Sequence, residues 1–163
     1  MFAALPTKIR EYSILQVAVS NGSPIAWSIK PEDFKLEKGE GSQMQALPAR
    51  TVVNNMLQRA SRGDVTKLVT AYEAALYGNA RMHSTNGYES RRQDALAEVG
   101  STRLKAAAVA SAIVLVPTKL APGQSTDGAV FYSTAGKPIG SARLKVDAAG
   151  ETFEFQVEAD ALR

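Results

Sequence analysis

The last third of the chain alternates apolar and polar positions in short runs. Three runs with strand character follow the Pro122-Gly123 turn, at residues 129–132, 142–146 and 152–157. In the third run Phe153, Phe155 and Val157 alternate with polar residues, which is the period of a strand with one buried face. The sequence Asp-Ala-Ala-Gly at 147–150 predicts a hairpin between the last two runs. This part of the chain is therefore predicted to be antiparallel sheet.

The N-terminal part also predicts strands. Three apolar residues share one face of a first strand: Leu15, Val17 and Val19. A second strand follows the Asn-Gly-Ser-Pro turn at 21–24, with alternating Ile25, Trp27 and Ile29. We expect these two strands to pair as a hairpin, with Trp27 in the core. A short third strand at 34–36 and a mobile loop at 38–42 follow.

After Pro48 the apolar residues recur with the spacing of helices. They predict four helices, over residues 52–60, 65–77, 88–99 and 102–112. Asp64 is placed to cap the second, Gly78 to end it, and the fourth is rich in alanine. The β-branched residues at 113–116 predict a return to the sheet.

The order of strands, helices and strands predicts a single α+β, mostly β domain over residues 1–163. Two or three strands alone leave an apolar face open to water. The strands of 11–47 and 113–158 are therefore expected to pack together as an antiparallel β-sandwich, with residues 49–112 as a helical insertion.

Composition narrows the possibilities only slightly. The chain has no cysteine, which excludes disulfides and thiolate chemistry. Its net charge of +3 is small and scattered, so no nucleic-acid partner is expected. No apolar stretch reaches the roughly 20 residues of a membrane-spanning helix. Residues 1–6 lack the features of a signal peptide, and a signal or lipid-anchor segment removed before Met1 stays open as an alternative.

Two segments resemble the immunoglobulin-like β-sandwich domains of bacterial cell-envelope and exported proteins. The first is Val19-Ser20-Asn21-Gly22-Ser23-Pro24 with Ile25-Ala26-Trp27, and the second is Leu120-Ala121-Pro122-Gly123 with Gly128-Ala129-Val130-Phe131-Tyr132. In that family a similar turn closes an early strand, and a Pro-Gly turn precedes a later one. The resemblance covers the two ends of the chain, and the central helices depart from it. It implies an exported, non-enzymatic accessory or adhesion-like module without catalytic residues.

The sequence offers weak candidates for catalysis or metal binding. His83 is the only histidine, but the chain lacks a Gly-x-Ser-x-Gly nucleophile elbow, so an exposed loop position is favoured. One histidine without cysteine cannot supply the usual zinc ligands. Glu32, Asp33 and Asp127 are too isolated to form a calcium loop. No metal and no cofactor are predicted.

Two further motifs are better explained by structure than by function. Gly39-Glu40-Gly41-Ser42 superficially resembles a phosphate-binding loop, but it lacks the following Lys-Ser/Thr and is interpreted as a hairpin loop. Arg62-Gly63-Asp64 matches an integrin-ligand tripeptide, and it is interpreted as an interhelical turn that ends in a helix cap.

The helical insertion carries the excess positive charge, with nine basic and five acidic residues between 50 and 116. Arg91 and Arg92, together with Tyr77 and Tyr88, are therefore the candidate binding surface. An anionic glycan or lipid headgroup is one partner that such a surface would fit. A solvated face and tyrosines packed on the sheet are the structural alternative.

The strand pattern and the lack of a reactive constellation favour a non-catalytic module that acts through protein–protein interaction or assembly. The resemblance implies that this module is periplasmic or extracellular and that its partner is an envelope protein. Two alternatives stay open. One is a small-molecule or glycan-binding domain whose ligand lies between the helices and a sheet face, where Trp27 or the tyrosines stack on it. The other is a hydrolase that uses His83.

Overall fold

The computed structural model describes residues 2–3, 7–77, 88–97 and 101–157. The first group of strands comprises β1 (Phe2–Ala3), β2 (Thr7–Ile9), β3 (Tyr12–Ser20), β4 (Trp27–Ile29), β5 (Phe34–Lys38) and β6 (Gln43–Gln45). The helices are α1 (Ala49–Arg59), α2 (Arg62–Tyr77), α3 (Tyr88–Ala97) and α4 (Thr102–Ile113). The second group comprises β7 (Thr118–Leu120), β8 (Ser125–Ser133), β9 (Ala142–Ala148) and β10 (Glu151–Val157). The chain is an α+β protein with antiparallel sheets.

The strands form two four-stranded sheets and one separate ribbon. In the first sheet β8 pairs with β3 along its whole length, while β2 and β1 occupy the opposite edge of β3 in succession. The second sheet has the order β10-β9-β5-β6, and β4 pairs with β7 in the ribbon. The predicted hairpin between the first two strands is therefore wrong, because both edges of β3 are already taken by other strands. The sequence pattern also missed β1 and β2.

The hairpin predicted at residues 147–150 is confirmed. β9 and β10 pair in full register from Ala142 opposite Val157 to Ala148 opposite Glu151. Ala149 and Gly150 connect them with φ angles of 55° and 79°, the left-handed conformation that a type I′ turn needs. The apolar face of β10 is only partly buried, with Phe153 38% exposed, because β10 lies at the edge of its sheet.

The β3–β8 pair is buried on both faces and separates two apolar clusters. On one face, Leu15 and Val17 of β3 and Val130 of β8 join a cluster shared with β5, β9 and β10. On the other face, Ile14 and Phe131 join a cluster shared with the helices. Strands from both ends of the chain thus share the cluster between the two sheets, and the helices cover the other face of the β3–β8 pair.

The helices pack around α4, which contacts α1, α2 and α3. Its buried face includes Ala106, Ala107 and Ala110, and these small side chains let the neighbouring backbones approach closely. Ser101 caps its start by accepting a hydrogen bond from the Leu104 N–H at 3.2 Å. No helix of the described ranges is long and apolar enough to cross a lipid bilayer.

The predicted cap position of Asp64 is wrong, because α2 begins at Arg62 and Asp64 lies in its first turn, from which its side chain bonds back to Ser61. The Asp64 Oδ2 accepts hydrogen bonds from the Ser61 N–H at 2.7 Å, the Ser61 hydroxyl at 2.9 Å and Arg10 Nη1 at 3.0 Å. Burial raises the pKa of Asp64, but the hydrogen bonds from Ser61 and Arg10 outweigh it and hold the pKa below its ordinary value. A buried carboxylate whose Oδ2 accepts three hydrogen bonds within the protein favours the structural interpretation of the tripeptide.

Candidate functional site

A groove of about 530 Å³ lies where α3, the end of α4, β7 and β8 meet. We call it the α3–β8 groove. It is lined by Arg91, Val114, Val116, Thr118, Lys119, Leu120, Gly123, Gln124, Ser125, Thr126 and Asp127. Its volume falls within the range of roughly 300–1,000 Å³ typical of ligand sites.

The groove runs along strand edges and not across a sheet face. Successive side chains of a strand point to opposite faces, yet three consecutive residues of β7 and three of β8 line it. The backbone hydrogen bonds of β8 also identify this edge, which faces away from β3. There the Ala129 carbonyl accepts from the Leu115 N–H and the Phe131 carbonyl accepts from the Leu47 N–H, each at 2.8 Å. Alternation along β8 directs the carbonyls of Ser125 and Asp127 to that same edge.

A buried asparagine fixes one wall of the groove. The Asn21 Nδ2 group donates to the carbonyls of Ile25 at 2.8 Å and Leu120 at 3.0 Å. Its Oδ1 accepts from the Ser23 N–H, the Ser23 hydroxyl and Trp27 Nε1 at 2.9, 2.8 and 2.7 Å. The backbone of Asn21 also bonds to Gln124 and Gly123. The turn after β3 and the turn before β8 are therefore joined into one rigid unit.

Arg91 links α3 to the end of α4 at the border of the groove. Its Nη2 donates to the carbonyl of Ala112 at 2.9 Å. That carbonyl lies in the last turn of α4, where no helical N–H is available to it and where a positive charge is favourable. Arg91 therefore has a structural role as well as a place in the groove lining.

The other polar side chains of the groove differ in burial. Lys119 is exposed and makes no hydrogen bond or ion pair with any residue that the structure describes. Asp127 is 4% exposed and lies on the face of β8 that is turned toward the helices. Val116 adds an apolar surface that is 49% exposed. The groove thus combines two cations, a buried carboxylate and an apolar contact.

Beside the groove the chain passes very close to β8. A Cβ atom added at Gly128 would lie 2.6 Å from the Leu115 Cα and 2.8 Å from its N. Only glycine allows this approach. The connection from α4 to β7, which carries Val114 and Val116, is held against β8 at this point by the Leu115–Ala129 hydrogen bond.

Two buried polar side chains lack hydrogen-bond partners within the part of the chain that the structure describes. Both polar atoms of the Gln16 side chain are unbonded, and Gln16 lies on the same face as Asp127, two residue pairs away along the β3–β8 ladder. The Tyr132 hydroxyl is unbonded between the two sheets, and burial raises the pKa of Tyr132 far above its ordinary value. Such groups are rare in folded proteins because they lose their bonds to water without replacement.

The outer face of the second sheet is occupied by ion pairs. Register places Lys35 directly opposite Lys145, and diagonal pairs relieve this repulsion. Lys35 pairs with Asp147 at 2.8 Å and Lys145 pairs with Glu37. Hydrogen bonds from these lysines lower the pKa of both carboxylates. The face is therefore a self-satisfied charged surface.

Of the four residues predicted to form a binding surface, Arg91 lines the groove. The side chains of Arg92, Tyr77 and Tyr88 lie outside the described residues, as does His83, so these predictions stay untested. Trp27 is half-buried against the cluster between the sheets, bonds to Asn21 and does not line the groove. The expectation that Trp27 lies in the core is thus only partly met, and its stacking on a ligand in this groove is not supported.

The β7–β8 part of the site could not have been found from its motif alone. Pro122-Gly123 predicted a turn, and Gly123 has the positive φ of 77° that such a turn requires. Nothing in the residues around it indicated that α3 and the end of α4 would lie beside them. The glycine-rich 39–42 segment is the predicted hairpin connection, between β5 and β6, and borders a smaller pocket of about 250 Å³.

The chain was compared with family models, with curated proteins and with solved structures, and none of the three comparisons gave a match.

Proposed function

We propose that this protein is a non-catalytic binding module of the cell envelope, and that it recognises a protein partner through the α3–β8 groove. The observation that carries this proposal is the hydrogen-bonded unit around Asn21, which holds one wall of the groove in place. A rigid wall reduces the entropy lost when a partner binds. Loops held by a rigid sheet are also where binding residues concentrate.

The lining of the groove suits binding better than catalysis. The hydroxyl of Thr118 donates to the Val116 carbonyl at 2.8 Å. An activated nucleophile would instead donate to a general base. Exposed Val116 and the charged groups around it form the mixed apolar and polar surface of a protein contact.

The compartment belongs to the proposal as well. The resemblance of the two chain ends to immunoglobulin-like envelope domains supports a periplasmic or extracellular sandwich. Fractionation of cells that express the full-length gene should recover the protein outside the cytoplasm. Recovery in the cytosol would contradict this part of the proposal.

A small-molecule or glycan ligand is the second candidate, because the groove volume of about 530 Å³ suits it. A thermal-shift screen with glycans and metabolites separates the two. A ligand present at a hundredfold excess over its Kd should stabilise the protein by about 2.7 kcal/mol.

The direct test of the proposal blocks the groove with Val116→Arg. Its control is Leu104→Arg near the start of α4, since Leu104 is exposed to a similar degree, 43% against 49%. The purified wild-type protein should retain a partner from an envelope extract, the Leu104 variant should retain the same partner, and the Val116 variant should lose it. Equal retention by both variants, or no partner at all, would refute recognition through this groove.

A further inference from the structure

We infer that the segment bound in the α3–β8 groove is an acidic stretch of extended polypeptide. This inference rests on the proposed function and adds the chemistry of the partner. Its basis is the charge of the groove border, the direction of the groove and the exposed apolar side chain within it.

The border of the groove presents positive charge from two different elements, whereas the one carboxylate among its lining residues, that of Asp127, is only 4% exposed. Lys119 extends from β7 and Arg91 from α3. Lys119 has no counter-ion among the described residues, so its charge is available to a partner. Arg91 is positioned by its bond to Ala112 and adds its positive charge at the border of the groove. Carboxylates are the groups that lysine and arginine bind in a protein partner.

The shape of the groove favours an extended chain over a helix or a globular surface. Its walls follow the edges of β7 and the start of β8, so its long direction is that of a strand. A peptide that lies along strand edges presents alternate side chains to opposite sides. One side of such a peptide would meet Lys119 and Arg91, and an apolar residue would meet Val116.

The test uses defined peptides and charge reversal. The first probe is a fluorescein-labelled peptide of eight residues that alternates glutamate with valine, and the second replaces each glutamate by glutamine. Fluorescence anisotropy is measured with the wild type, with Lys119→Glu and with Lys137→Glu as the matched control. Lys137 is also exposed but follows the far end of β8, a strand that spans roughly 26 Å at about 3.3 Å per residue and whose start lines the groove.

We expect the glutamate peptide to bind and the glutamine peptide to bind at least about tenfold more weakly at low salt. Lys119→Glu should weaken binding of the glutamate peptide about tenfold, and Lys137→Glu less than twofold. Because exposed charges are screened, the difference should shrink at high ionic strength. Amide NMR shifts on binding should concentrate at residues 118–120 and 125–127.

Three results would overturn the inference. The first is equal binding of both peptides, and the second is equal weakening of binding by both lysine variants. The third is displacement of the peptide by a small dicarboxylate that is present at the same concentration as the peptide. The last result would identify a small-anion site. If the peptides fail while Val116→Arg still abolishes binding of the envelope partner, only this inference fails. If Val116→Arg has no effect, the proposed function fails as well.

Discussion

Replacing Asn21 with alanine should destabilise the protein far more than a polar loop residue normally would. The change removes five side-chain hydrogen bonds but leaves the groups that made them. The Leu120 carbonyl is left without this hydrogen bond in a buried position, which lowers the free energy of unfolding by about 2 kcal/mol. The Trp27 and Ser23 N–H groups are partly exposed, so water compensates in part and each loses about 1 kcal/mol.

The expected loss is therefore about 4 kcal/mol, a large share of the roughly 5–15 kcal/mol by which domains are stable. It corresponds to a Tm lower by roughly 8–16 °C for a chain of this length. Urea unfolding followed by circular dichroism gives the free energy directly. Ser23→Ala is the control, because its hydroxyl is only one of the donors to Asn21, and it should lose about 0.5 kcal/mol.

Asn21→Asp separates the loss of donors from the loss of shape. Aspartate keeps the acceptor oxygen but places a carboxylate against the carbonyls of Ile25 and Leu120. The three donors to the retained oxygen favour the charged form, but burial and the two carbonyls disfavour it. Because only the protonated carboxyl can donate to one of these carbonyls, we expect its folded-state pKa to be raised. The deficit should then be largest at neutral pH and shrink as pH falls through that raised pKa toward about 3.9, the value in the unfolded chain. A loss below about 1 kcal/mol for Asn21→Ala, or a deficit of the aspartate variant that does not change with pH, would refute the role given to Asn21.

Three further predictions test other parts of the structure. Gly128→Ala should lower the free energy of unfolding in urea by about 3 kcal/mol, because its Cβ meets the Leu115 backbone. Gly39→Ala is the control, since open space surrounds Gly39, and it should change stability by less than about 1 kcal/mol. Similar values for both variants would disprove the close approach. Tyr132→Phe should leave stability unchanged or raise it by up to about 1 kcal/mol, since the hydroxyl it removes has no described partner, and a clear loss would reveal one. Asp64→Asn should have a lower free energy of unfolding than the wild type at pH 7. This difference in stability should close as pH falls below about 4 through the lowered pKa of Asp64, because protonation then removes the same charge from the wild type. A difference that persists in acid would contradict this.

The elements that local sequence determines were predicted well. The helices α1 to α4 begin and end within a few residues of their predicted bounds, because apolar spacing and flanking glycine and proline act within a few positions. The β9–β10 hairpin was likewise readable, since its turn and both strands are adjacent in the chain.

Strand partners and the groove depend on distant contacts, which one sequence does not display. The partner of Trp27 is Leu120, more than ninety positions later, and nothing near Trp27 distinguishes it from a partner in β3. Arg91 was selected for its charge, while the Ala112 carbonyl that positions it became visible only in three dimensions. Asn21 was assigned to a turn, but its bond to Leu120 has no local signature.

The two ends of the helical segment are attached to the same strand, two residues apart. Leu47, just before α1, donates to Phe131, and Leu115, just after α4, donates to Ala129. Because both ends of the helical segment are fixed at neighbouring residues of β8, the distance between them does not depend on how many residues the segment contains. This architecture would tolerate longer or shorter loops between the helices, as when one domain is inserted into another, provided that the helices still cover Ile14 and Phe131. Changes in the length of those loops need not disturb the sheet to which the helical segment is attached.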